Sequence, residues 1–365
     1  MENIVTSIAS NFCIDSLELT EVKLFGSGHI NETYLAGFKN GDKVTQYIFQ
    51  KINTNVFRKP EQLMDNISRV LKHAAQKLAD KPDSERRSIH LVPAKNGKMY
   101  CYHDNHCWRA YHFIGDASTY NILETEEQAY QAAKTFGAFQ MLLADLPGER
   151  LFETIPNFHN TPSRYADFER ALAANKAGRA DLCREEIEFA KKISHIAPVL
   201  IDLQKKGEIP ERITHNDTKL NNVLLDDATG EGLCVIDLDT VMPGLSLYDF
   251  GDMVRTSVSP AAEDETDLSK IKVRTEVFKA LVKGYLDGAE GCLTAKEMEM
   301  LPFSGYLITY EIGLRFLTDY LEGDVYFRTH REHHNLDRCR TQFKLVQLLM
   351  EKEDELNAIV KGFIK

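Results

Sequence analysis

Two short acidic motifs in the second half of the chain have the residue types and spacing of a phosphoryl-transfer centre. The first is His215-Asn216-Asp217 followed by Asn222, in the run ITHNDTKLNN. The second is Ile236-Asp237-Leu238-Asp239, in the run LCVIDLDT. Either motif alone recurs by chance, but in this order and at this separation they supply a base and metal ligands. The chemistry they indicate is transfer of a phosphoryl group with the help of a metal ion.

The segment between the motifs predicts a β-hairpin that brings them together. Two short apolar runs lie on either side of a Gly- and Asp-rich turn at residues 229–230. In that hairpin Asn222 lies opposite Asp237, and Asp217 sits in the loop before the first strand. Two carboxylates and a carboxamide then share one end, an all-oxygen set that suits Mg²⁺ better than Zn²⁺. The alternative is a surface hairpin with an incidentally acidic end.

Specific roles follow because phosphoryl transfer asks the protein mainly to position groups and to neutralise charge. Asp217 would accept, or at least orient, the proton of the attacking hydroxyl. Asp237 would hold Mg²⁺ across the nucleotide phosphates, with Asn222 as a neutral ligand. If the strand continues, Asp239 faces the same side as Asp237 and would hold metal or a substrate hydroxyl. His215 is expected to brace the loop by hydrogen bonding.

Composition narrows the class of protein. The chain has 365 residues, 43% of them hydrophobic, and a net charge of −11. This acid excess, without a basic stripe, argues against a nucleic-acid partner. No run approaches the roughly 18 apolar residues of a membrane span, and the N-terminus lacks the features of a secretory signal. We therefore expect a cytoplasmic protein, a monomer, whose 7 cysteines are reduced thiols.

The elements that must position the motifs form two predicted lobes. Residues 1–115 are rich in strand and turn signals, including the turn Asp104-Asn105, with one helical pattern over residues 60–79. Residues 116–365 are mostly helical, interrupted by the hairpin. The fold class is therefore α+β, with a small β-rich N-terminal lobe and a larger helical C-terminal lobe, as in protein kinases. Nucleotide would bind in the cleft between the lobes.

Local signals mark several helix boundaries in the second lobe. Thr125 with Gln128, and Thr294 with Glu297, have the spacing of capping boxes that open helices. The last two helices are predicted over residues 301–321 and 338–360. Further helices are predicted within residues 166–206, which are dense in Ala, Glu and Lys.

Three further stretches have sequences that suggest nucleotide or metal binding. Gly26-Ser27-Gly28 precedes a strand and is a candidate phosphate-covering loop. The third strand would normally carry a lysine for the phosphates, but it reads Gln50-Lys51, and alternation puts these side chains on opposite faces. Asp249, in YDFGD, spells a kinase metal motif but lies outside the hairpin. We interpret it as a structural brace for the next helix and the catalytic loop.

Six stretches together have a recognisable pattern: GSGHINETY (26–34), WRAYHFI (108–114), THNDTKLNNVLLD (214–226), IDLDTVMPG (236–244), YDFGD (248–252) and RFLTDYLEGDVYF (315–327). With these stretches, the chain resembles the aminoglycoside phosphotransferase and choline kinase-like superfamily, and more closely the N-acetylhexosamine 1-kinase family. The resemblance extends along nearly the whole chain.

This resemblance implies a kinase that uses ATP and Mg²⁺ to phosphorylate the anomeric hydroxyl of N-acetylglucosamine or N-acetylgalactosamine. It implies Asp217 as the base, Asn222 and Asp237 as metal ligands, and Asp239 as a metal or sugar contact. It also implies glutamine at position 50. The matched hinge residues for adenine are Tyr111, Phe113 and Ile114, and the candidate sugar contacts are Arg315, Tyr326 and Glu311.

Three alternatives stay open from the sequence. The acceptor could be another small alcohol, such as an aminoglycoside or choline, because the catalytic loop touches the phosphoryl group and not the acceptor's body. The missing strand lysine motivates a nucleotide-binding pseudokinase. Arg315 could form an ion pair with Glu311 or Asp319 on its own helix, in place of a sugar contact.

Overall fold

The N-terminal lobe is built on one twisted antiparallel sheet. The computed structural model describes residues 2–26 and 30–364. A first helix, α1 (Glu2–Ala9), precedes a five-stranded sheet of order β1-β2-β3-β5-β4. Its strands are β1 (Glu18–Leu24), β2 (Glu32–Asn40), β3 (Lys43–Lys51), β4 (Cys101–His103) and β5 (His106–His112). The predicted β-rich first lobe is confirmed.

Turn residues and apolar faces fix this sheet. Asp104 and Asn105 both have positive φ, 48° and 61°, so β4 and β5 join through the tight turn that the sequence predicts. On one face, α1 and the segment after it pack against the sheet, with Phe12 and Phe49 rings 6.0 Å apart. The other face joins the main core, which α2 (Pro60–Leu78) also enters.

The C-terminal lobe is helical around a short hairpin. Its strands are β6 (Ala117–Ser118), β7 (Arg212–Thr214), β8 (Val223–Asp226), β9 (Gly232–Val235) and β10 (Met242–Gly244). Its helices are α3 (Glu126–Leu143), α4 (Thr161–Ala174), α5 (Arg184–Lys192), α6 (Val199–Lys205), α7 (Ser246–Ser257), α8 (Thr275–Ala289), α9 (Ala295–Glu299), α10 (Leu301–Glu322), α11 (His334–Glu351) and α12 (Glu353–Phe363). None of the helices in these described ranges is long and apolar enough to cross a bilayer.

Close helix packing positions the hairpin. Helices α3 and α8 pack so closely that a Cβ atom at Gly137 would lie 2.3 Å from the carbonyl oxygen of Tyr285. Helix α3 also contacts β8 and β9. Helix α10 runs through the middle of the lobe and is buried along most of its length. The hairpin is therefore supported by helices on a rigid core.

Most predicted helix boundaries hold, with one exception. Both capping boxes are present, at Thr125 and at Thr294. The single helix predicted over residues 338–360 is wrong, because α11 ends at Glu351 and α12 begins at Glu353. Lys352 between them leaves helical geometry, which lets Leu356 and Val360 turn into the core. Apolar periodicity continued across the break and concealed it.

Candidate active site

The two acidic motifs meet at the end of the β8–β9 hairpin. Val223 pairs with Val235, and the amide of Ile236 donates to the carbonyl of Asn222 at 2.9 Å. The predicted pairing of Asn222 with Asp237 was thus out by one residue, because the first strand starts only at Val223. Asn222 and Asp237 still emerge from the same end of the hairpin, after the loop that carries Asp217.

Asp217 is held by two neighbours from its own loop. The Nζ atom of Lys219 lies 2.8 Å from Oδ1 of Asp217. The side-chain nitrogen Nδ2 of Asn222 donates to Oδ2 of Asp217 at 3.1 Å and to the backbone carbonyl of Asp217 at 2.8 Å. Burial opposes ionisation of Asp217, but the ammonium of Lys219 and the nearby His215 outweigh it, so its pKa lies below the usual range. Asp217 is therefore an ionised carboxylate at neutral pH, available to orient a hydroxyl.

Lys219 lies beside the candidate base and was not identified from the sequence. Its ammonium pairs with Asp217, and this carboxylate raises the pKa of Lys219, so the charge persists. Its side chain is 43% exposed, so part of it faces solvent. The signal available in the sequence was its position two residues after Asp217. Lys219 places a cation beside the candidate base.

Asp237 and Asn222 present oxygen atoms that fit Mg²⁺. Within residues 2–26 and 30–364, the Asp237 carboxylate forms no hydrogen bond or ion pair, although it opens onto the cleft. Surrounding protein, together with Asp239 and Asp217, raises its pKa to about 6. Asn222 uses its amide nitrogen on Asp217, which leaves its oxygen free. An unpartnered carboxylate beside a free carboxamide oxygen is a suitable donor set for Mg²⁺.

These two protein ligands would have to share the metal with a substrate. The described residues contain no group of three or more His, Cys, Asp or Glu side chains arranged to hold a metal ion. Mg²⁺ commonly binds through one or two protein carboxylates together with nucleotide phosphates. The sparse donor set therefore fits a metal that arrives with a nucleotide.

Asp239 does not lie where strand alternation placed it. The strand ends at Val235, Asp237 has a left-handed φ of 60°, and Leu238–Thr240 form a short 3-10 turn. The carboxylate of Asp239 forms an ion pair with Arg109 and accepts a hydrogen bond from Asn31 at 2.5 Å. Asp239 is 3% exposed and its carboxylate is directed to Arg109, so the structure does not bring it beside Asp237 as predicted; its role as a metal or sugar contact stays a prediction.

Gln50, at the position expected to hold a lysine, binds an arginine from the neighbouring strand. Gln50 and Arg109 are paired across β3 and β5. The guanidinium donates to Oε1 of Gln50 through Nε at 2.9 Å and Nη2 at 2.6 Å. Gln50 in turn donates to Thr33 at 3.1 Å. Arg109 thus bridges the N-terminal sheet and Asp239, and a charged residue in an apolar strand was its only sequence signal.

Substitution of Arg109 should destabilise the fold, which tests the importance of its ion pair with Asp239. We expect Arg109→Met to lower the free energy of unfolding by about 3–5 kcal/mol, because it leaves Asp239 buried without its countercharge. The double variant Arg109→Met with Asp239→Asn should recover most of this loss. Urea unfolding of both variants measures the difference. Equal stability of the single and double variants would show that the buried charge is not the cause.

The candidate nucleotide residues lie within or just after β1 and β5. Gly26 has a φ of 81°, whereas Ser27 and Gly28 lie outside the described residues. Tyr111 lines a small pocket that also includes Asp237. The Phe113 ring contacts Phe25 edge-on, with centroids 5.6 Å apart, and Ile114 packs against the main core. Phe25 therefore connects the end of β1 to the segment that follows β5.

Hydrogen bonds from α7 and from the second motif hold the loop at residues 215–217 in place. The carboxylate of Asp249 accepts hydrogen bonds from the amides of His215, at 3.0 Å, and Asn216, at 2.7 Å. The His215 ring nitrogen Nε2 donates to the carbonyl of Ile236 at 2.9 Å. These contacts tie the first motif to the second motif and to α7, so neither His215 nor Asp249 faces the cleft as a reacting group.

Arg315 lies among aromatic rings and does not pair with an acid. Its guanidinium carbon lies 5.2, 5.8 and 5.5 Å from the ring centroids of Phe158, Tyr326 and Phe327. The alternative ion pair with Glu311 or Asp319 is absent from the described residues. Asp319 instead accepts backbone hydrogen bonds from residues 325–327. Among the described residues, no acid pairs with Arg315, and its side chain is partly exposed.

Glu311 differs from its expected role as a sugar contact. It is fully buried, and its two oxygens bind His159 at 2.7 Å and Thr161 at 2.6 Å. A residue so enclosed does not reach a substrate, and the network it forms leads to the catalytic loop. His159 was not recognised from the sequence, because its partners are remote along the chain.

The fold is two-lobed and kinase-like, and it brings the Asp217 carboxylate, the Asn222 carboxamide oxygen and the Asp237 carboxylate to one end of the hairpin, an arrangement that suits phosphoryl transfer. The model of the family described as "Phosphotransferase enzyme family" matches residues 21–288. The chain belongs to this family.

Solved structures share the whole fold. A choline kinase from Cryptosporidium parvum Iowa II superposes with a TM-score of 0.62 at 15% identity, covering 99% of this chain and 99% of the other. An aminoglycoside phosphotransferase from Alicyclobacillus acidocaldarius gives 0.61 at 11% identity, covering 96% and 95%. A spectinomycin phosphotransferase in complex with ADP and spectinomycin gives 0.58 at 12% identity, covering 96% and 98%. At such identities the likeness shows the fold alone.

Proposed function

We propose that the protein transfers the γ-phosphoryl group of ATP to the anomeric hydroxyl of an N-acetylhexosamine and forms the sugar 1-phosphate. The observation that carries the choice of acceptor is the unpaired Arg315 among three aromatic rings, on the helical side of the cleft. The resemblance of the chain to N-acetylhexosamine 1-kinases supports the same choice. The ADP complex of the spectinomycin phosphotransferase supports an adenine nucleotide as donor.

Each group has a distinct role in this reaction. Asp217 orients the sugar hydroxyl and receives its proton as the bond to phosphorus forms. Lys219 offsets the negative charge that develops on the transferred group. Asp237 and Asn222 would hold Mg²⁺, which when bound neutralises the nucleotide phosphates. Gly26, Tyr111, Phe113 and Ile114 would enclose the nucleotide. Asp217 thus faces the hydroxyl, and the other groups serve the phosphates.

The charge of the pocket favours an acceptor without a positive charge. In a site for a quaternary ammonium, aromatic rings would surround the ligand's cation. Here the rings of Phe158, Tyr326 and Phe327 surround the protein's own guanidinium. Burial and the charge of Arg315 lower the pKa of neighbouring Arg164. Arg164 pairs with Asp167 at 3.8 Å, so Arg315 is the cation without a paired acid among the described residues here. Choline or a polycationic aminoglycoside would be repelled, whereas a sugar carbonyl or hydroxyl oxygen would accept hydrogen bonds.

A nucleotide-binding pseudokinase is the second hypothesis, and the site argues against it. A pseudokinase has no need to keep an ionised base, an unpartnered metal carboxylate and a free carboxamide oxygen together. Asp217, Asp237 and Asn222 meet at one end of the hairpin. Lys219 also offers a cation near the phosphates, which weakens the argument from the missing strand lysine.

One assay tests the acceptor and the bond formed. The protein is incubated with ATP, Mg²⁺ and either N-acetylglucosamine or N-acetylgalactosamine, and the product is exposed to mild acid. We expect a phosphate ester that hydrolyses readily, because the phosphate is on the anomeric carbon. Parallel reactions contain choline, an aminoglycoside or no acceptor. An acid-stable product, or turnover only with a cationic acceptor, would refute the proposal.

Arg315 should control acceptor affinity more than chemistry. We expect Arg315→Met to raise KM for the sugar about 10- to 100-fold, because one charge-assisted contact to a buried polar group is worth about 1.5–3 kcal/mol. KM for ATP should change less than threefold. Steady-state kinetics with each substrate varied in turn provide the measurement. Arg184→Met, at an arginine that is 72% exposed, is the matched control and should change neither constant.

A further inference from the structure

His159 connects the helical acceptor side of the cleft to the catalytic loop. It directly precedes Asn160, the N-cap of α4, and it is 5% exposed. Its Nδ1 atom lies 2.7 Å from Oε1 of Glu311 on α10, and its Nε2 atom lies 3.0 Å from the carbonyl oxygen of Asn216. No other described contact is made to that carbonyl. The imidazole therefore spans two elements that lie far apart in the sequence.

The chemistry of the partners decides where the protons of this pair lie. The Asn216 carbonyl is only an acceptor, so Nε2 must carry a hydrogen. Oε2 of Glu311 accepts a hydrogen bond from the Thr161 hydroxyl at 2.6 Å. Burial disfavours the charged form of His159, but Glu311 outweighs it and raises its pKa. In either arrangement of the proton between Nδ1 and Glu311, Nε2 donates to the carbonyl of Asn216.

The carbonyl that His159 holds is the last backbone group before the candidate base. Asn216 has a left-handed φ of 64°, which is a conformation that non-glycine residues adopt only when their surroundings hold them. Its amide is fixed by Asp249, and its side chain donates to the Thr240 carbonyl at 2.9 Å. His159 fixes the remaining group, the carbonyl. The orientation of the peptide that leads into Asp217 therefore depends on His159.

The same histidine is adjacent to the acceptor pocket. Phe158, its neighbour in the chain, stacks on Arg315, and Glu311 lies one helical turn before Arg315 on α10. We propose that His159 is a positioning residue: with Glu311, it aligns Asp217 with an acceptor held at Arg315. This inference rests on the proposed phosphoryl transfer, but not on the identity of the sugar.

Substitution of His159 by glutamine or by asparagine tests its two hydrogen bonds separately. The amide nitrogen of glutamine can occupy the place of Nε2, and that of asparagine the place of Nδ1. His159→Gln should therefore keep the hydrogen bond to Asn216 and lose the one to Glu311, and His159→Asn should do the reverse. We expect kcat within about threefold of wild type for His159→Gln, and a 10- to 100-fold loss for His159→Asn, with KM for ATP nearly unchanged in both.

The melting temperatures of the two variants should not follow the order of their kcat values. This comparison distinguishes a positioning role of His159 from a role in stabilising the fold. His159→Gln leaves the buried Glu311 less well satisfied, so we expect it to melt at or below the temperature of His159→Asn. If kcat is the same in both, or falls with the melting temperature, the proposal is wrong. Both substitutions are repeated with Glu311→Gln, where no charge remains buried, so that folding does not limit the comparison.

ADP release is measured with N-acetylhexosamine and also with water as the acceptor. If the wild-type protein hydrolyses ATP but does not phosphorylate the sugar, the proposed acceptor is wrong, and the two His159 variants are compared on hydrolysis alone. Under that readout too, slower turnover in His159→Asn than in His159→Gln supports the positioning role. Equal hydrolysis rates in the two variants would overturn it.

Discussion

Asp217→Asn is expected to lower kcat by roughly 10²- to 10⁴-fold while leaving nucleotide affinity within about threefold of wild type. The amide has the same shape and can still accept the hydrogen bond from Asn222, so the loop should keep its conformation. It does not accept a proton at neutral pH, and it loses the ion pair with Lys219. The loss should therefore appear in the chemical step and not in nucleotide binding.

The measurements are ADP release at saturating substrates and calorimetric titration with Mg²⁺-nucleotide. Asp227→Asn is the matched control, since Asp227 is an exposed aspartate in the hairpin turn, and its removal should change neither quantity. Turnover of Asp217→Asn within tenfold of wild type would mean that another group receives the proton. A loss of nucleotide binding would instead mean that Asp217 serves the phosphates.

Local sequence signals were sufficient to predict the hairpin and the helix starts that form the scaffold of the candidate site. The apolar runs on either side of residues 229–230 predicted the hairpin, and the hairpin brings Asn222 and Asp237 to one end. The capping boxes at Thr125 and Thr294 are equally local, because each depends on residues three positions apart. Such features are decided by short-range geometry, which one sequence contains in full.

The pairs that hold the site together were not predictable in this way. Arg109 and Asp239 are 130 residues apart, and His159 and Glu311 are 152 apart. Nothing in the local spacing of either residue identifies its partner, because the pairing depends on how the lobes and helices pack. Buried charges need a partner, so Arg109 in an apolar strand did indicate that an acid lies somewhere near. It did not indicate which one.

Asp239 shows how one backbone conformation redirects a prediction. Strand alternation would place it beside Asp237, but the left-handed conformation of Asp237 ends the extended strand. Aspartate tolerates this conformation better than most residues, so no glycine marks the position. As a consequence, Asp239 turns inward to Arg109, and Asp237 is the candidate acidic metal ligand at the end of the hairpin.

Asp237→Ala is therefore expected to lower kcat/KM by about 10³-fold or more, because the charge stabilisation by a bound metal is worth several kcal/mol. Asn222→Ala should have a smaller effect, since it removes a neutral ligand and leaves the carboxylate. The measurement is ADP release as a function of Mg²⁺ concentration for both variants and the wild type. We expect the Mg²⁺ requirement to rise for Asn222→Ala, and activity to be lost at every Mg²⁺ concentration for Asp237→Ala.

The pH dependence provides an independent check on the same residue. Because burial and the neighbouring carboxylates raise the pKa of Asp237 to about 6, its carboxylate becomes protonated as the pH falls through that value. A protonated carboxyl is a poor metal ligand, so the apparent affinity for Mg²⁺ should weaken below about pH 6 and remain constant above it. Asn222→Ala should keep this dependence, because Asp237 is intact. Mg²⁺ affinity that does not change between pH 5 and pH 7 in the wild type would contradict the assignment of Asp237 as the metal ligand.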